Sequence, residues 1–300
     1  MTTPGLLVLG NVNVDLVLGE IDGWPAIGTE IMVDRVEMRP GGSAGNTALA
    51  LAGLGEPHLL VASTGSDANG IWLREQFDGS TSDWIACEGG TTLTVGIVHK
   101  GGDRAFLTTP GHLLHAGADE LIARVPEAPG GNAWAILSGA FLMPRLMQAG
   151  GRLLEQLAEK GWRTAIDPGW PPQGWEAVKH LMRGWLARAD CALLNADEAR
   201  ALSGLSDLDE ATVAIARMLR GDGLLVVKDG ANGASVLHWG AEYRAIAPKV
   251  AVVDTVGAGD TFNAAFLAAL AHGSPLQAAL ETGVITAARA ISTFPRRYAS

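Results

Sequence analysis

The chain has few cysteines and no long hydrophobic run. Cys87 and Cys191, in 300 residues, are too few and too unpatterned for a disulfide framework or a zinc site, which fits a reducing compartment. No apolar stretch approaches the roughly 20 residues that a membrane span needs. The N-terminus also lacks a basic stretch followed by an apolar core, so no secretory signal is visible. These absences predict a soluble cytoplasmic protein.

Positive charge is also scarce. The 22 lysines and arginines are outnumbered by 32 aspartates and glutamates, which gives a net charge of −10. This balance argues against nucleic acid or an anionic membrane as a partner. The length of 300 residues is enough for one large α/β core, or for such a core with a small appendage.

Short apolar runs with the length of buried strands alternate along the chain with longer runs of helical periodicity. The predicted strands are Leu6–Leu9, Leu59–Ala62, Ala133–Leu137, Thr164–Ile166, Ala192–Leu194 and Leu224–Val227. The predicted helices are Ala44–Leu54, Asn69–Phe77, Pro144–Glu159, Trp175–Ala187, Ala196–Leu202 and Ala211–Leu219. This order favours an α/β fold with a mainly parallel central sheet and helices on both faces.

Two stretches depart from this order, residues 14–38 and 91–109. They contain segments of alternating polarity, such as Thr92 to His99, and a period of two is typical of strands with one face in water. We expect them to form a small antiparallel β lid beside the main sheet. Since no internal repeat or long linker is evident, residues 1–300 are predicted to form a single domain with this lid.

One segment carries the strongest chemical signal, Asp254-Thr255-Val256-Gly257-Ala258-Gly259-Asp260-Thr261-Phe262. It lies between a strand-like run, Val250–Val253, and an apolar helical run, Phe262–Leu270. A glycine turn at a helix N-terminus presents backbone N–H groups and the positive end of the helix dipole, which attract an anion such as phosphate. On these residues alone, Asp260 either caps its helix or acts as a base toward an attacking alcohol.

The same segment resembles the C-terminal signature of the ribokinase-like (PfkB) carbohydrate kinases. The N-terminal signature of that family is matched by Gly41-Gly42-Ser43-Ala44-Gly45-Asn46, and the resemblance extends from about Leu6 to about Ala290. It implies a ribokinase-like fold and ATP-dependent phosphorylation of a hydroxymethyl group on a small sugar of the ribose, fructose or sugar-acid type. Asp260 would then be the general base, and the backbone N–H groups of Gly257, Ala258 and Gly259 would form the anion hole.

The resemblance also assigns residues to the acceptor end of the site. The segment after the first strand contains Asn13 and Asp15, and the matching Asn and acid in the family bind the sugar. An aspartate can accept two hydroxyl hydrogen bonds from a diol. The alternative interpretation is a turn that the Asn and Asp side chains stabilise. Gly41 and Gly42 let the backbone approach the ligand closely, and Asn46 supplies both a donor and an acceptor.

Two further segments resemble the family's nucleotide end. Asn195-Ala196-Asp197-Glu198 resembles an Asn-x-x-Glu motif whose Glu organises Mg²⁺ through water. The residues alone also fit a helix N-terminus capped by Asn195, and the two roles are compatible. Lys228-Asp229-Gly230-Ala231-Asn232-Gly233 resembles the glycine turn under the ATP phosphates, with Lys228, Gly230 and Gly233 as candidate nucleotide-binding residues. Asp167 ends another predicted strand and is a candidate for a supporting position.

Departures from the family pattern bear on the substrate. Ser43 stands where many relatives carry Lys, which favours an unphosphorylated acceptor. Arg35, Arg39 and Arg104, in or beside the lid, could still bind a substrate phosphate, although a solvated flap face is the favoured role for each. The apolar segment Gly139–Pro144 keeps nucleosides open as acceptors. The segment Ile291–Arg297 lacks the Gly usual after the last helix, which counts against activation by potassium, since that region helps to form a monovalent-cation site in relatives.

Three functions other than a sugar kinase are alternatives. A nucleoside kinase of the same family is one alternative, and a non-catalytic sugar-binding regulatory protein is another. The intact Asp260 and anion-hole glycines argue against the second. A dinucleotide-dependent oxidoreductase is disfavoured because the first strand is followed by Gly-Asn-Val-Asn-Val-Asp, not by Gly-x-Gly-x-x-Gly. Exposed lid edges invite pairing, so a homodimer through the lid is expected.

Overall fold

The computed structural model describes residues 4–100, 104–294 and 298, and in these residues a nine-stranded sheet forms the centre of the molecule. Its strands are β1 (Leu6–Gly10), β4 (Leu59–Gly65), β5 (Ser82–Cys87), β8 (Trp134–Ser138), β9 (Arg163–Asp167), β10 (Cys191–Asn195), β11 (Leu224–Lys228), β12 (Ala234–His238) and β13 (Ala241–Ala245). They are ordered β13-β12-β11-β10-β9-β8-β1-β4-β5. The pairs from β5 across to β11 are parallel, and β12 and β13 add antiparallel pairs.

The described helices are α1 (Ser43–Leu54), α2 (Ala68–Glu75), α3 (Ala118–Ile122), α4 (Pro144–Glu159), α5 (Trp175–Leu186), α6 (Ala196–Ser203), α7 (Leu208–Ala216), α8 (Ala258–Ala271) and α9 (Leu276–Ile291). One face of the sheet is covered by α1, α8 and α9, and the other by α3 to α7. Successive strand residues point to opposite faces, so strands covered on both sides need continuous apolar sequence. None of these helices is long and apolar enough to cross a membrane.

The predicted α/β architecture is confirmed, and each predicted strand of the main sheet is present within a few residues. The sequence analysis did not predict β5 and β13, which are the edge strands of the sheet, or β12, which lies beside β13. In β12 buried positions alternate with partly exposed ones, and β5 and β13 also contain exposed positions. An edge strand therefore lacks the continuous apolar run by which the central strands were recognised.

The lid is a second, four-stranded sheet with the order β3-β2-β6-β7. Its strands are β2 (Asn13–Ile21), β3 (Val36–Gly41), β6 (Leu93–His99) and β7 (Arg104–Thr108). The outer pairs, β2 with β3 and β6 with β7, are antiparallel as predicted, whereas β2 and β6 in the middle pair in parallel. This middle pairing joins two hairpins that are distant in sequence. The first lid strand, β2, begins only three residues after the end of β1.

The predicted strand at Val250–Val253 is wrong. This segment lies outside the strands, and the side chains of Val252 and Val253 are 58% and 55% exposed. Its apolar, β-branched sequence satisfies strand propensity, but the chain here is returning from the edge strand β13 to α8, which packs against α1. The backbone N–H groups of Val253 and Asp254 donate to the Ile291 carbonyl at 2.7 and 3.2 Å. The glycine turn is therefore entered from a surface segment that is fastened to the end of α9.

Candidate active site

The predicted site residues meet at the edge of the sheet where the parallel strands end. Gly10, Ser138 and Asp167 are in register at the ends of β1, β8 and β9. Asn195 and Lys228 form the corresponding pair at the ends of β10 and β11. Because parallel strands deliver their carboxyl ends to one edge, residues that are far apart in sequence become neighbours there.

At the predicted acceptor end, Asn13 and Asp15 lie at the start of β2 and are both buried. The Asn13 Nδ2 atom donates to Asp15 Oδ1 at 2.7 Å and to Thr94 Oγ1 at 3.1 Å. Thr94 belongs to β6, so this carboxamide connects both halves of the lid. The hydrogen bond holds the Asp15 carboxylate in one orientation before any ligand arrives.

The signature glycines are explained by close packing against these two residues. A Cβ on Gly41 would lie 2.3 Å from the Asp15 carboxylate. Gly42 has φ +82° and its Cβ would lie 2.5 Å from the Asn11 carbonyl oxygen and 2.8 Å from Asn13 Oδ1. Position 42 therefore requires glycine, both for space and for backbone conformation, whereas a side chain at position 41 would displace the Asp15 carboxylate.

Asn11 is a structural residue of the site that the sequence analysis missed. Its Oδ1 atom accepts from the Ser43 N–H at 3.0 Å. Its carbonyl accepts from the N–H groups of Ala44 and Gly45 at 3.1 and 3.4 Å. These contacts satisfy the first turn of α1, whose N-cap, Gly42, has no side chain to do so. The available signal was its position in the loop between β1 and Asn13.

The acceptor end is joined directly to the glycine turn. Asn46, in the first turn of α1, donates from Nδ2 to Asp260 Oδ2 at 3.0 Å. Asp260 lies in the first turn of α8, whose N-cap is Gly257 with φ 71°. In this turn the Ala258 N–H donates to the Thr255 carbonyl at 3.2 Å. An anion bound here would therefore compete with that carbonyl for the Ala258 N–H.

At the nucleotide end, Asn195 and Glu198 form a reciprocal cap at the start of α6. The Glu198 N–H donates to Asn195 Oδ1 at 2.8 Å, and the Asn195 N–H donates to Glu198 Oε2 at 2.9 Å. Such a capping box satisfies two backbone donors of the helix. Glu198 is only 4% exposed. Burial, together with the nearby Asp167 carboxylate, raises the pKa of Glu198 to about 7.

A buried ammonium group occupies the space beside these acids. Lys228 Nζ donates to Asp167 Oδ2 at 2.9 Å and to Asn263 Oδ1 at 3.1 Å, and Asn263 Nδ2 donates to the same Asp167 oxygen. Burial lowers the pKa of Lys228, but the carboxylates of Asp167 and Glu198 outweigh this and raise it above its ordinary value. A Cβ on Gly259 would lie 3.4 Å from Lys228 Nζ, so the ammonium group sits next to the glycine turn.

Asn263 is the second residue that the sequence analysis missed. It is fully buried and lies three residues after Asp260, in the otherwise apolar run of α8. A single Asn on a buried helix face must find partners, because an unpaired buried amide costs about 1–3 kcal/mol. Its isolation in an apolar helix was the signal that could have revealed it.

Gly230 and Gly233 lie beyond β11, in a short 3₁₀ turn, Gly230–Asn232, and at the residue that follows it. Their φ values are +52° and +97°. A Cβ on Gly233 would lie 1.9 Å from the Ala245 carbonyl oxygen. Gly233 is therefore required for the close approach of β12 and β13, and no described hydrogen bond joins either glycine to the cluster around Lys228.

Arg39 and Arg35 form ion pairs. Arg39 Nη1 lies 2.8 Å from Asp254 Oδ2 in a half-buried position. Arg35 Nη2 lies 2.7 Å from Glu37 Oε2 in a more exposed one. Within the part of the chain that the structure describes, no group of three or more His, Cys, Asp or Glu residues could bind a metal ion. Glu198 would supply one carboxylate, which fits a hydrated Mg²⁺ held mainly by phosphates.

Comparisons with known proteins agree with this geometry. A sequence profile described as "pfkB family carbohydrate kinase" matches residues 4–295. Aminoimidazole riboside kinase from Salmonella typhimurium is 28% identical over 292 residues, which are 94% of this chain and 86% of that protein. ATP-dependent ribose-1-phosphate kinase from Halopiger xanaduensis is 29% identical over 298 residues, which are 95% of this chain and 92% of that protein.

Among solved structures, Arabidopsis thaliana ribokinase in complex with ribose and ATP superposes with a TM-score of 0.79. The match covers 97% of this chain and 94% of that chain at 20% identity, which shows that the fold is shared.

Proposed function

The chain belongs to the pfkB family of carbohydrate kinases, and we propose that it transfers the γ-phosphoryl group of ATP to a hydroxymethyl group of a small, unphosphorylated sugar. The observation that carries this proposal is the 3.0 Å hydrogen bond between Asn46 and Asp260. It connects the helix that follows the acceptor-binding glycines to the only acid within the glycine turn Gly257–Asp260. A base in this position lies between the acceptor and the phosphate that the acceptor attacks.

In the proposed reaction, Asp260 accepts the proton of the acceptor hydroxyl as the oxygen attacks the γ-phosphorus. A new O–P bond forms, the bond from the γ-phosphorus to the bridging oxygen breaks, and ADP leaves with the electron pair. The N–H groups of Gly257, Ala258 and Gly259, with the nearby Lys228 ammonium group, would stabilise the charge on the transferred group. Mg²⁺, when bound, would neutralise charge on the ATP phosphates, and Glu198 would hold it through water.

The charges around the acceptor end favour a neutral acceptor over a sugar phosphate. Asp15 contributes a carboxylate there, Ser43 stands where a lysine would supply a cation, and Arg39 is already paired with Asp254. A phosphorylated sugar would bring negative charge toward Asp15, which is unfavourable in a partly buried site. We therefore place ribose, fructose and related free sugars ahead of sugar phosphates.

A nucleoside is the second candidate acceptor. Trp170 follows Asp167 at the end of β9 and is 58% exposed. The segment that contains it approaches the apolar segment Gly139–Pro144, since a Cβ on Gly169 would lie 3.7 Å from the Gly139 Cα. An exposed indole at this end of the sheet could stack on a ring carried by the sugar. The named relatives are kinases, and they give no support to a non-catalytic sugar-binding protein.

The remaining parts of the proposal concern assembly and conditions. Residues 1–300 would act as one kinase domain with its lid, and two copies would pair through the lid, where Phe106 and Leu107 on the edge strand β7 are 55% and 57% exposed. Free thiols at Cys87 and Cys191 support a cytoplasmic location. We propose no potassium requirement; of the segment Ile291–Arg297, the last three residues lie outside the described residues.

The experiment is a screen of ADP release with Mg²⁺-ATP against free sugars, sugar acids, sugar phosphates and nucleosides. Asp260→Ala is run alongside as the variant without the proposed base. Strong turnover of one free sugar that disappears in Asp260→Ala is the expected result. Preference for a sugar phosphate would contradict the charge argument, and undiminished turnover in Asp260→Ala would remove the base from the mechanism.

A further inference from the structure

An ion pair links the lid to the segment that leads into the glycine turn. Arg39 lies near the end of β3, directly opposite Asp15 in the β2–β3 register. Its Nη1 atom is 2.8 Å from Asp254 Oδ2, and the two side chains are only 17% and 16% exposed. Opposite residues of an antiparallel pair point to the same face of the sheet, so Arg39 and Asp15 share the face that carries the acceptor end.

Asp254 is in turn fixed to the backbone of this segment. Its Oδ1 atom accepts from the Val256 N–H at 3.0 Å. Its own N–H and that of Val253 donate to the Ile291 carbonyl. One carboxylate therefore accepts from the lid through one oxygen and from the turn segment through the other, only three residues before Gly257.

We infer that Arg39 is a positioning residue for phosphoryl transfer, which acts through Asp254 on the turn Gly257–Gly259. Because Arg39 belongs to the strand pair that holds Asp15, the ion pair makes the acceptor end and the phosphate-binding turn move as one unit. Binding of the acceptor then orders the turn for ATP, and binding of ATP orders the lid for the acceptor. This inference rests on the proposed function for its kinetic consequence but not for the ordering itself.

The burial of the pair explains why its loss should matter. An exposed ion pair contributes little, whereas removing one partner of a largely buried pair is costly, because the remaining charge loses a compensating interaction. Without Arg39, the Asp254 carboxylate would turn away from the lid, and the Val256 N–H would lose its fixed acceptor. The chain offers an internal control in Arg35, whose pair with Glu37 leaves 60% of the Arg35 side chain accessible and whose guanidinium group also lies 5.4 Å from the centroid of the Phe294 ring.

The ordering is tested first, in a form that needs no acceptor. Hydrogen exchange of the peptide that covers residues 253–261 is compared in wild type, Arg39→Ala, Arg39→Lys and Arg35→Ala, with Mg²⁺-AMP-PNP bound and without it. We expect exchange in this peptide to be at least about tenfold faster in Arg39→Ala. We expect Arg39→Lys to restore most of the protection, and Arg35→Ala to match wild type.

The second test measures coupling, with the best acceptor from the screen. Affinity for AMP-PNP is measured by calorimetry with and without that acceptor, and kcat and KM are determined for the same variants. Arg39→Ala should lower kcat about tenfold or more and abolish the tightening of AMP-PNP binding by the acceptor. The double variant Arg39→Ala/Asp254→Ala should be no slower than Asp254→Ala alone, because both changes remove the same interaction.

The outcomes separate this inference from the proposed function. If no acceptor is found but exchange near the turn accelerates in Arg39→Ala, the substrate proposal fails and the positioning role stands. If wild type phosphorylates a sugar while Arg39→Ala matches it in kcat, coupling and exchange, the positioning role is overturned. If Arg39→Ala does not fold, Arg39→Gln and Arg39→Lys are compared with wild type instead. Equal exchange rates and equal kcat values in all three proteins would overturn the positioning role.

Discussion

At the acceptor end the Asp15 carboxylate is held by a carboxamide and packed against a glycine, whereas at the nucleotide end the Asp167 carboxylate is held by a buried ammonium group and a carboxamide. The first end gains its geometry from backbone packing around Gly41 and Gly42. The second gains it from charges, which Lys228 partly neutralises. Asp260 lies between the two ends: it accepts a hydrogen bond from Asn46 on the acceptor side and lies near Lys228 on the nucleotide side.

The difference between the two ends corresponds to the difference between their proposed ligands. A neutral sugar offers hydroxyl groups, which a fixed carboxylate and carboxamide can bind without any change of net charge. ATP and Mg²⁺ bring charges of both signs, and a buried site that already contains an ammonium group and two carboxylates can respond to both. Variants that remove one feature from one end should therefore affect one substrate more than the other.

The largest effect is expected from Asp260→Asn, which removes the base but keeps the side chain's size. We predict that kcat falls about 10³-fold, the scale of general-base catalysis, with little change in acceptor affinity measured by calorimetry. The matched control is Asp209→Asn, because Asp209 forms an exposed ion pair with Arg244. A large loss of acceptor affinity in Asp260→Asn would contradict this prediction, because it would show that Asp260 binds the acceptor.

Next in size is Lys228→Met, which should damage the nucleotide end alone. It leaves the buried acids Asp167 and Glu198 without their cation, so we predict a loss of about 3–5 kcal/mol in the free energy of unfolding. The ratio kcat/KM for ATP should fall about 100-fold, while the KM for the acceptor stays within a factor of about three. Urea unfolding and steady-state kinetics measure both effects.

Two further variants sharpen this result. Lys160→Met removes a lysine from an ion pair in which Glu127 is mostly exposed, and should change neither quantity. Lys228→Met/Asp167→Asn should regain part of the stability without regaining activity, because one of the two uncompensated carboxylates is gone but the cation is still missing. If the double variant recovered activity, Lys228 would be a structural counter-charge only.

The comparison also shows which parts of the site the sequence can predict. The acceptor-end residues come from two short segments, Asn11–Asp15 and Gly41–Asn46, whose spacing is visible in the chain. The contact between Asn46 and Asp260 spans 214 positions, and the link between Lys228 and Asp167 spans 61. Long-range contacts of this kind depend on strand order, which periodicity alone does not provide.

The errors have equally specific causes. Val250–Val253 has the composition of a strand, but the Val253 N–H bonds to the end of α9 and not to a strand, so tertiary context overrides propensity. Asn263 was missed because an apolar helix was treated as core along its whole length. Arg39 was given a solvated role because its partner, Asp254, is 215 residues away.

Gly41→Ala tests the acceptor end with a smaller expected effect. The added Cβ would lie 2.3 Å from the Asp15 carboxylate, so the carboxylate must move away from the position in which Asn13 holds it. We predict that the KM for the acceptor rises roughly tenfold, because a displacement of about 1 Å is enough to impair binding geometry. The KM for ATP should stay unchanged.

The control for this prediction is Gly79→Ala, where a Cβ meets nothing within 4 Å. It should leave both KM values at the wild-type level. Gly41→Ala with an unchanged acceptor KM would mean that Asp15 does not bind the acceptor. A rise in the KM for ATP alone would reverse the assignment of the two ends.

The smallest effect, of a few fold, is expected from Glu198→Gln, and it depends on pH. Burial and the neighbouring Asp167 raise the pKa of Glu198 to about 7, so the side chain is largely neutral at pH 6 and largely ionised at pH 8. Wild type should therefore need several-fold less Mg²⁺ for half-maximal activity than Glu198→Gln at pH 8. The ratio between the two proteins should approach one at pH 6, and comparing them at each pH removes the titration of ATP itself.

Stability should change in the opposite direction. A carboxyl group whose pKa is raised in the folded state stabilises the fold below its ordinary pKa, and this contribution is lost as pH rises through about 7. Glu198→Gln should consequently be more stable than wild type at pH 8, by an amount on the order of 3 kcal/mol, and similar to it near pH 4.5. A Glu198→Gln protein that is less stable at pH 8 would show that the ionised carboxylate is compensated in the folded protein without Mg²⁺. The nucleotide end would then be organised by its own hydrogen bonds, like the acceptor end, and the contrast between the two ends would disappear.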